Sequence, residues 1–361
     1  MKVFHASETI KGGVATVQKQ LAQAQILSTA VTQVTCLVPE DQVSEIDEID
    51  AGHLLTFRRT GRDVGSFWRF LTAFCGYVWR ENPDIVHLHS TFAGVLGRLA
   101  LVALRPLRKP KVVYCPHAFA FLMDNSPTKR KLYVWVEKLL LPMTDKIICV
   151  SDYEKTSAVQ LTLSAEKMVV VHNGVPDRGH PPEALRAHDE LNLLFVGRLD
   201  FQKGYDIIID AMRQLQGNPI HLTIVGDSVN GQQEKIALPN ITYTGWLRSQ
   251  ELEKYFLAAD ALVIPSRWEG FAMVPLEAMS YGLAIVASDS TSLPEVVIDG
   301  KTGRLFKNGN ANDLKDKILT LQHAEFREMG SAGYKLYKSS FTSELMISKT
   351  FQVYDELWKK C

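Results

Sequence analysis

The sequence predicts an α/β protein made of two Rossmann-like domains that face each other across a cleft. Three observations predict it. Short apolar runs alternate with helical stretches along almost the whole chain, the pattern of parallel strands covered by helices. The 361 residues suffice for roughly two domains, and with 46% apolar residues each half can bury a sizeable core. A polar, proline-bearing stretch, Pro176–Asp189, interrupts the alternation and reads as a linker.

In the first half the strand candidates are Lys2–His5, Gln33–Leu37, Ile85–Leu88, Lys111–Cys115, Lys146–Val150 and Met168–His172. Amphipathic segments lie between them: Val14–Ser28, Phe67–Arg80, Gly94–Leu104 and Lys129–Leu141. The alternation restarts after the linker with Leu191–Val196, His221–Val225, Ile241–Thr244, Ala261–Ile264 and Ala284–Ala287. The segment Ser343–Lys360 closes the chain as a helix, with Leu345, Ile347, Phe351, Tyr354, Leu357 and Trp358 as its apolar positions. No internal repeat or low-complexity segment interrupts this order.

Net charge is formally zero but unevenly spread. Residues 1–180 hold 21 Lys and Arg against 17 Asp and Glu, and the remainder holds 19 against 23. Residues 85–123 carry Arg98, Arg105, Arg108, Lys109 and Lys111 and no acid. A basic first half suits an anionic membrane surface or a phosphorylated acceptor; an ordinary solvated face is the other reading. No nucleic-acid partner is expected. The cysteines, Cys36, Cys75, Cys115, Cys149 and Cys361, are odd in number, scattered and without zinc-ligand spacing, which fits free thiols in a reducing compartment. The N-terminus has no signal-peptide layout, and the apolar stretch Val95–Leu104 is broken by Arg98 and too short to span a bilayer. A cytoplasmic protein, soluble or peripheral on the membrane, is expected.

Glu269-Gly270-Phe271-Ala272-Met273-Val274-Pro275-Leu276-Glu277 carries the strongest functional signal. Ala261–Pro265 before it reads as a buried strand, and Pro275–Tyr281 as a helix start, since proline is tolerated in the first turn. Two carboxylates therefore flank a strand-to-helix turn whose free N–H groups bind anions. Donors for phosphate beside acceptors for hydroxyls suit a nucleotide sugar. The plainer reading makes Glu277 a complement to the helix dipole and Glu269 a solvated loop residue.

Gly12-Gly13 follows the first strand, where glycines let backbone approach a phosphate or sugar or simply make a tight turn. No GxGxxG follows, so dinucleotide binding is not supported. Arg198 and Lys203, within Gly197–Gly204, follow a strand end, where open α/β sheets bind ligands. They read as a phosphate clamp or as two solvated loop cations. His117 follows a strand and a proline. It reads as a hydrogen-bonding partner near a reacting sugar, or as a capping or core histidine. His87 and His89 read as strand-end residues, one on each face, and not as metal ligands. Gly300-Lys301-Thr302 resembles the end of a P-loop, but Glu295 stands where the earlier glycine is required. No Asp-x-Asp motif is present to hold a divalent metal on a nucleotide diphosphate.

Taken together these residues resemble a glycosyltransferase of the two-Rossmann-domain (GT-B) type, family 4. The matches are Gly12-Gly13, His117, Ser151, Asn173-Gly174-Val175, Gly197–Gly204, Val225-Gly226 and the E-x7-E run from Glu269 to Glu277, with its Gly-Phe and closing Leu-Glu-Ala-Met. The resemblance implies an acceptor-binding domain over residues 1–175, joined by a crossover helix at 343–361, and a nucleotide-sugar-binding domain over 190–342. It implies Glu269 on the donor hexose and backbone N–H groups of Gly270, Phe271 and Ala272, with Val274, toward sugar or phosphate. Glu277 would bind ribose hydroxyls, and Arg198 and Lys203 the diphosphate. Gly13 would approach the phosphate, His117 the donor sugar, and Gly226 with Tyr243–Trp246 the base. It further implies retention of anomeric configuration without metal or other cofactor, in surface-polysaccharide synthesis on a lipid-linked saccharide. A soluble acceptor, a related epimerase or phosphorylase, and a non-catalytic binding subunit stay open. Phe119, Phe121, Leu122 and Met123 would meet a polyprenyl chain or belong to the core.

Overall fold

The computed structural model describes residues 1–179, 190–228, 234–320 and 322–359. The chain divides into two compact units, Met1–Asn173 with Ser343–Cys361, and Gly174–Thr342.

The first unit is a parallel sheet covered by helices. Its elements run β1 (Lys2–Ser7), α1 (Gly13–Ile26), β2 (Gln33–Pro39), β3 (Leu54–Phe57), α2 (Val64–Glu81), β4 (Ile85–His89) and α3 (Thr91–Leu104). They continue with β5 (Lys111–Cys115), α4 (Pro127–Leu140), β6 (Lys146–Cys149), α5 (Asp152–Gln160) and β7 (Met168–Val170). The strands lie in the order β3-β2-β1-β4-β5-β6-β7, all paired in parallel. Parallel strands need both faces covered, which is why β1, β2, β4 and β5 are almost wholly buried.

The second unit repeats the plan: β8 (Leu191–Val196), α6 (Tyr205–Gln214), β9 (Ile220–Val225), β10 (Ile241–Gly245), α7 (Ser249–Ala258), β11 (Ala261–Ile264) and α8 (Met273–Ser280). Then come β12 (Ala284–Ser288), α9 (Leu293–Val296), β13 (Gly303–Phe306), α10 (Ala311–Leu319) and α11 (His323–Ser340). Strand order is β10-β9-β8-β11-β12-β13, again all parallel. The closing helix α12 (Ser343–Trp358) belongs to the first unit, where the Tyr354 hydroxyl bonds His87 Nδ1 at 2.6 Å.

Two strands escaped the sequence reading, β3 and β13. Each is a four-residue edge strand that is only partly buried, so it shows no continuous apolar run. Helix α8 begins at Met273, two residues before Pro275, with the proline still inside the first turn. Most of the linker expected at Pro176–Asp189 lies outside the described residues.

Arg98 is not part of a basic surface. It is fully buried, its Nη2 2.8 Å from Glu137 Oε2, its guanidinium 4.2 Å above the Tyr114 ring. Tyr114 donates to the other Glu137 oxygen at 3.0 Å, and Arg98 Nε to the Gly94 carbonyl at 2.7 Å. This cluster pins α3 to α4. Phe119 and Phe121 are core residues, stacked with centroids 4.7 Å apart, while Met123 is exposed.

Candidate functional site

In the second unit, strand order reverses between β8 and β11, and the loops after these strands carry the candidate residues. This is the switch point where open parallel sheets bind ligands. After β8, Asp200 Oδ1 accepts from Lys203 N at 2.8 Å and shapes the loop. Gly204 then adopts φ +69°, and a Cβ there would stand 2.0 Å from the Pro265 carbonyl oxygen. Only glycine permits that approach, so the β8 loop lies directly on the end of β11.

The consequence is a bond between the loops. Lys203 Nζ donates to Glu269 Oε1 at 2.6 Å, with Glu269 nearly buried. Arg198 sits beside them, half-exposed, its Nε 2.9 Å from Asp200 Oδ2 and its Nη2 2.8 Å from Gln202 Oε1. Gln202 Nε2 in turn donates to the Trp268 carbonyl at 3.3 Å. Gln202 thus links the arginine to the backbone beside Glu269, a role no sequence signal marked.

Glu269 is held from behind by the loop after β12. Its N–H donates to Thr291 Oγ1 at 2.9 Å. Thr291 has φ +47°, unusual for a β-branched residue and of the kind that clusters at functional sites. Gly270 and Ala272 then lead into α8. Ala272 caps that helix without a side-chain hydrogen bond, and the first turn holds no acid. The orphan N–H groups there are fit to bind an anion. The Phe271 side chain is buried, 5.6 Å from the Phe341 ring, so only its backbone is available to a ligand. Val274 lies in the first turn, and Glu277 in the second, partly buried. Burial raises the Glu277 carboxyl above its ordinary range, against the pull of Arg178.

Gly226 follows β9 directly with φ +139°, and a Cβ would come within 1.9 Å of the Gly197 carbonyl oxygen. Its glycine is therefore needed for strand packing as such. Tyr243 is tied inward by Tyr205 Oη at 2.8 Å, whereas Trp246 is exposed.

The first unit holds a second constellation. β1 and β4 pair His5 with His87, and β4 and β5 pair His89 with Cys115. His87 and His89 are two residues apart on one strand and so share a face, contrary to the one-per-face expectation. Their rings stack with centroids 4.1 Å apart. His117, two residues beyond Cys115, joins the same face, its Nε2 3.0 Å from His89 Nδ1. His117 and Ala118 have φ +52° and +90°. Glu154 fixes this strained loop: its buried Oε1 accepts from Ala118 N at 3.0 Å and Phe119 N at 2.9 Å, while Oε2 takes Val150 N at 2.7 Å. Ser151, capping α5, accepts from Glu154 N at 3.0 Å. Gly13 starts α1, whose first turn holds no acid and whose cap makes no side-chain bond.

Two parallel-sheet α/β units, with paired cation and carboxylate at the switch point of the second, define a GT-B glycosyltransferase fold. The chain belongs to the glycosyltransferases: residues 12–174 match the family described as "Glycosyl transferase 4-like domain" and residues 179–335 that described as "Glycosyl transferases group 1". It is 36% identical, over 98% of its length and 99% of the relative's, to an uncharacterized 41.2 kDa protein in the cps region of Klebsiella pneumoniae. It is 27% identical, over 72% of its length and 73% of the relative's, to UDP-Gal:alpha-D-GlcNAc-diphosphoundecaprenol alpha-1,3-galactosyltransferase of Escherichia coli. Among solved structures, sucrose-phosphate synthase of Thermosynechococcus elongatus covers 100% of both chains with a TM-score of 0.83 at 22% identity. HepE of Anabaena, in complex with UDP-glucose, covers 99% of this chain and 100% of its own with a TM-score of 0.78 at 18% identity.

Proposed function

We propose that this chain is a retaining, metal-independent hexosyltransferase. It moves a hexose from a nucleotide diphosphate sugar to a polyprenyl-diphosphate-linked saccharide in surface-polysaccharide synthesis. The observation that carries the reading is the Lys203–Glu269 pair beside the uncapped start of α8. A cation and free backbone donors meet a diphosphate, and a carboxylate meets sugar hydroxyls. The relative from a cps region and the relative named for a diphosphoundecaprenol acceptor support the acceptor class. The HepE complex with UDP-glucose supports a uridine donor.

In this reading Arg198, Lys203 and the backbone of Gly270, Phe271, Ala272 and Val274 hold the diphosphate and stabilise the charge that builds as it departs. Glu269 binds the hexose, Glu277 the ribose and Gly226 borders the base. Gly13 and His117 of the first unit contribute to phosphate and sugar. The departing phosphate takes the acceptor's proton in a same-face attack. Trapping a covalent glycosyl-enzyme would overturn that step.

The outer surfaces of α3 and α4 support work at a bilayer, on the cytoplasmic face of the membrane. Leu99, Val102, Leu132, Trp135 and Leu139 are exposed there. Arg105, Arg130, Lys131 and Lys138 stand among them, while the acid of α4, Glu137, is buried against Arg98. Apolar side chains interleaved with cations suit an anionic interface. No described helix is long and apolar enough to cross a membrane.

The test is transfer from UDP-, GDP- and ADP-sugars to polyprenyl-diphosphate saccharide in anionic vesicles, with Glu277→Ala as control. One productive donor, lost in the variant, is the expected result. Donor binding to the folded protein without transfer to that acceptor would remove the lipid-linked assignment, and absence of any donor binding would remove the transferase.

A further inference from the structure

A continuous hydrogen-bonded chain of side chains runs through the first unit to His117. Gln25 on α1, His5 on β1 and His89 on β4 are all fully buried. Gln25 Oε1 lies 2.7 Å from His5 Nε2. His5 Nδ1 lies 2.9 Å from His89 Nε2, and His89 Nδ1 3.0 Å from His117 Nε2. His117 is partly exposed, and among the described residues nothing hydrogen-bonds its Nδ1.

With the Gln25 amide oxygen facing His5 Nε2, this order of atoms has one consistent set of protons. Burial holds His5 and His117 down to about 4 and His89 well below its ordinary value, so near pH 7 each ring is neutral. A neutral imidazole has one N–H and one bare nitrogen. The Gln25 oxygen only accepts, so His5 Nε2 carries the proton and His5 Nδ1 is bare. His89 Nε2 must then donate to it, which leaves His89 Nδ1 bare. His117 Nε2 must donate in turn, and His117 Nδ1 is left as an acceptor. His87 is stacked on His89 and joins the chain only from its far end, through Tyr354, which bonds His87 and lies against Gln25.

We propose that Gln25, His5 and His89 are positioning residues that lock His117 as its Nε2–H tautomer, so that its bare Nδ1 accepts a hydrogen bond from a hydroxyl of the transferred hexose. The tautomer lock is a property of the first unit alone; the hexose assignment rests on the transferase reading above. A histidine so fixed discriminates by donor capacity. A hydroxyl satisfies Nδ1, whereas fluorine or a carbonyl at the same carbon leaves it unpaired, a loss of roughly tenfold in binding.

Imidazole 15N NMR on the full chain, with His117→Gln identifying its signals, tests the lock directly. The wild-type protein is expected to show the proton on His117 Nε2 throughout pH 6–8. Gln25→Met removes the acceptor that sets the order and is expected to mix the two tautomers. It should raise donor KM by roughly tenfold with a smaller change in kcat. A proton on Nδ1 in the wild type, or a tautomer unmoved by Gln25→Met, overturns the proposal. A confirmed lock together with unchanged donor KM and kcat in His117→Ala overturns the hexose assignment while leaving the lock in place.

Discussion

Lys203 Nζ and Glu269 Oε1 stand 2.6 Å apart although 66 residues separate them in the chain. Each is the other's counter-charge, and Glu269 is nearly buried. A diphosphate that engages Lys203 therefore changes the electrostatic surroundings of the carboxylate assigned to the sugar. Removing one partner leaves the other uncompensated at low exposure. Glu269→Gln and Lys203→Met are each expected to lower kcat/KM by about a hundredfold to a thousandfold. The double variant should lose far less than the product of the two, as expected of groups that act as a unit. Steady-state kinetics on the four proteins checks this; simple multiplication of the losses would show that the pair is not coupled.

Glu277 is expected to trade stability against nucleotide-sugar binding. Burial favours its neutral form in the folded protein, so ionisation of this carboxyl works against the fold. Glu277→Gln is expected to raise the melting temperature of the unliganded protein at pH 7.5, with the gain shrinking as pH falls toward 4.5. The same change should weaken nucleotide-sugar binding by roughly tenfold or more, since a carboxylate accepts stronger hydrogen bonds than an amide. Calorimetry with and without donor measures both effects. A variant that is less stable at pH 7.5 contradicts the argument.

The buried histidines are expected to make the first unit acid-labile. Burial holds His5 at about 4, and His87 and His89 well below the ordinary value. Between about pH 6.5 and 4 the unfolded chain binds protons that the folded one does not, so stability is complete above that window and falls as pH drops through it. Each such group contributes a slope approaching about 1.4 kcal/mol per pH unit within its window. Urea titrations at pH 5.0 and 7.5 should show this loss, and His5→Gln should flatten it. Equal slopes in both proteins would exclude His5 as a contributor.

Glu154 is expected to matter to His117 without touching it. Its carboxylate holds three backbone N–H groups around a loop with two positive-φ residues. Glu154→Gln turns one acceptor into a donor facing a donor, at a cost of roughly 2–3 kcal/mol. Turnover should fall with stability, and the His117 ring signals should shift in NMR. Unchanged ring signals in a destabilised variant would restrict Glu154 to a purely structural role.

Much of this was legible in the sequence for a physical reason. Strands buried on both faces produce apolar runs, so β1, β4, β8 and β11 stood out, whereas the half-buried edge strands β3 and β13 did not. Glu269 and Glu277 share one short segment whose turn chemistry is local. Lys203 was legible as a cation at a strand end, but its partner was not, because that bond depends on which strand lies beside β8. The histidine chain was hidden in the same way. His5, His89, Gln25 and His117 come from four elements or loops, and only register brings them together. Arg98 shows the reverse error: an acid-free stretch reads as basic surface until Glu137, 39 residues on, neutralises it from within.

The placement of α12 has a consequence for biosynthesis. Residues 174–342 form one uninterrupted unit, which can close as soon as they have left the ribosome. The older first unit cannot, since the helix bearing Tyr354 is translated after the whole of the younger one. Vectorial synthesis would therefore complete the two units in the reverse of their order of appearance, with the histidine face left waiting for its final cover.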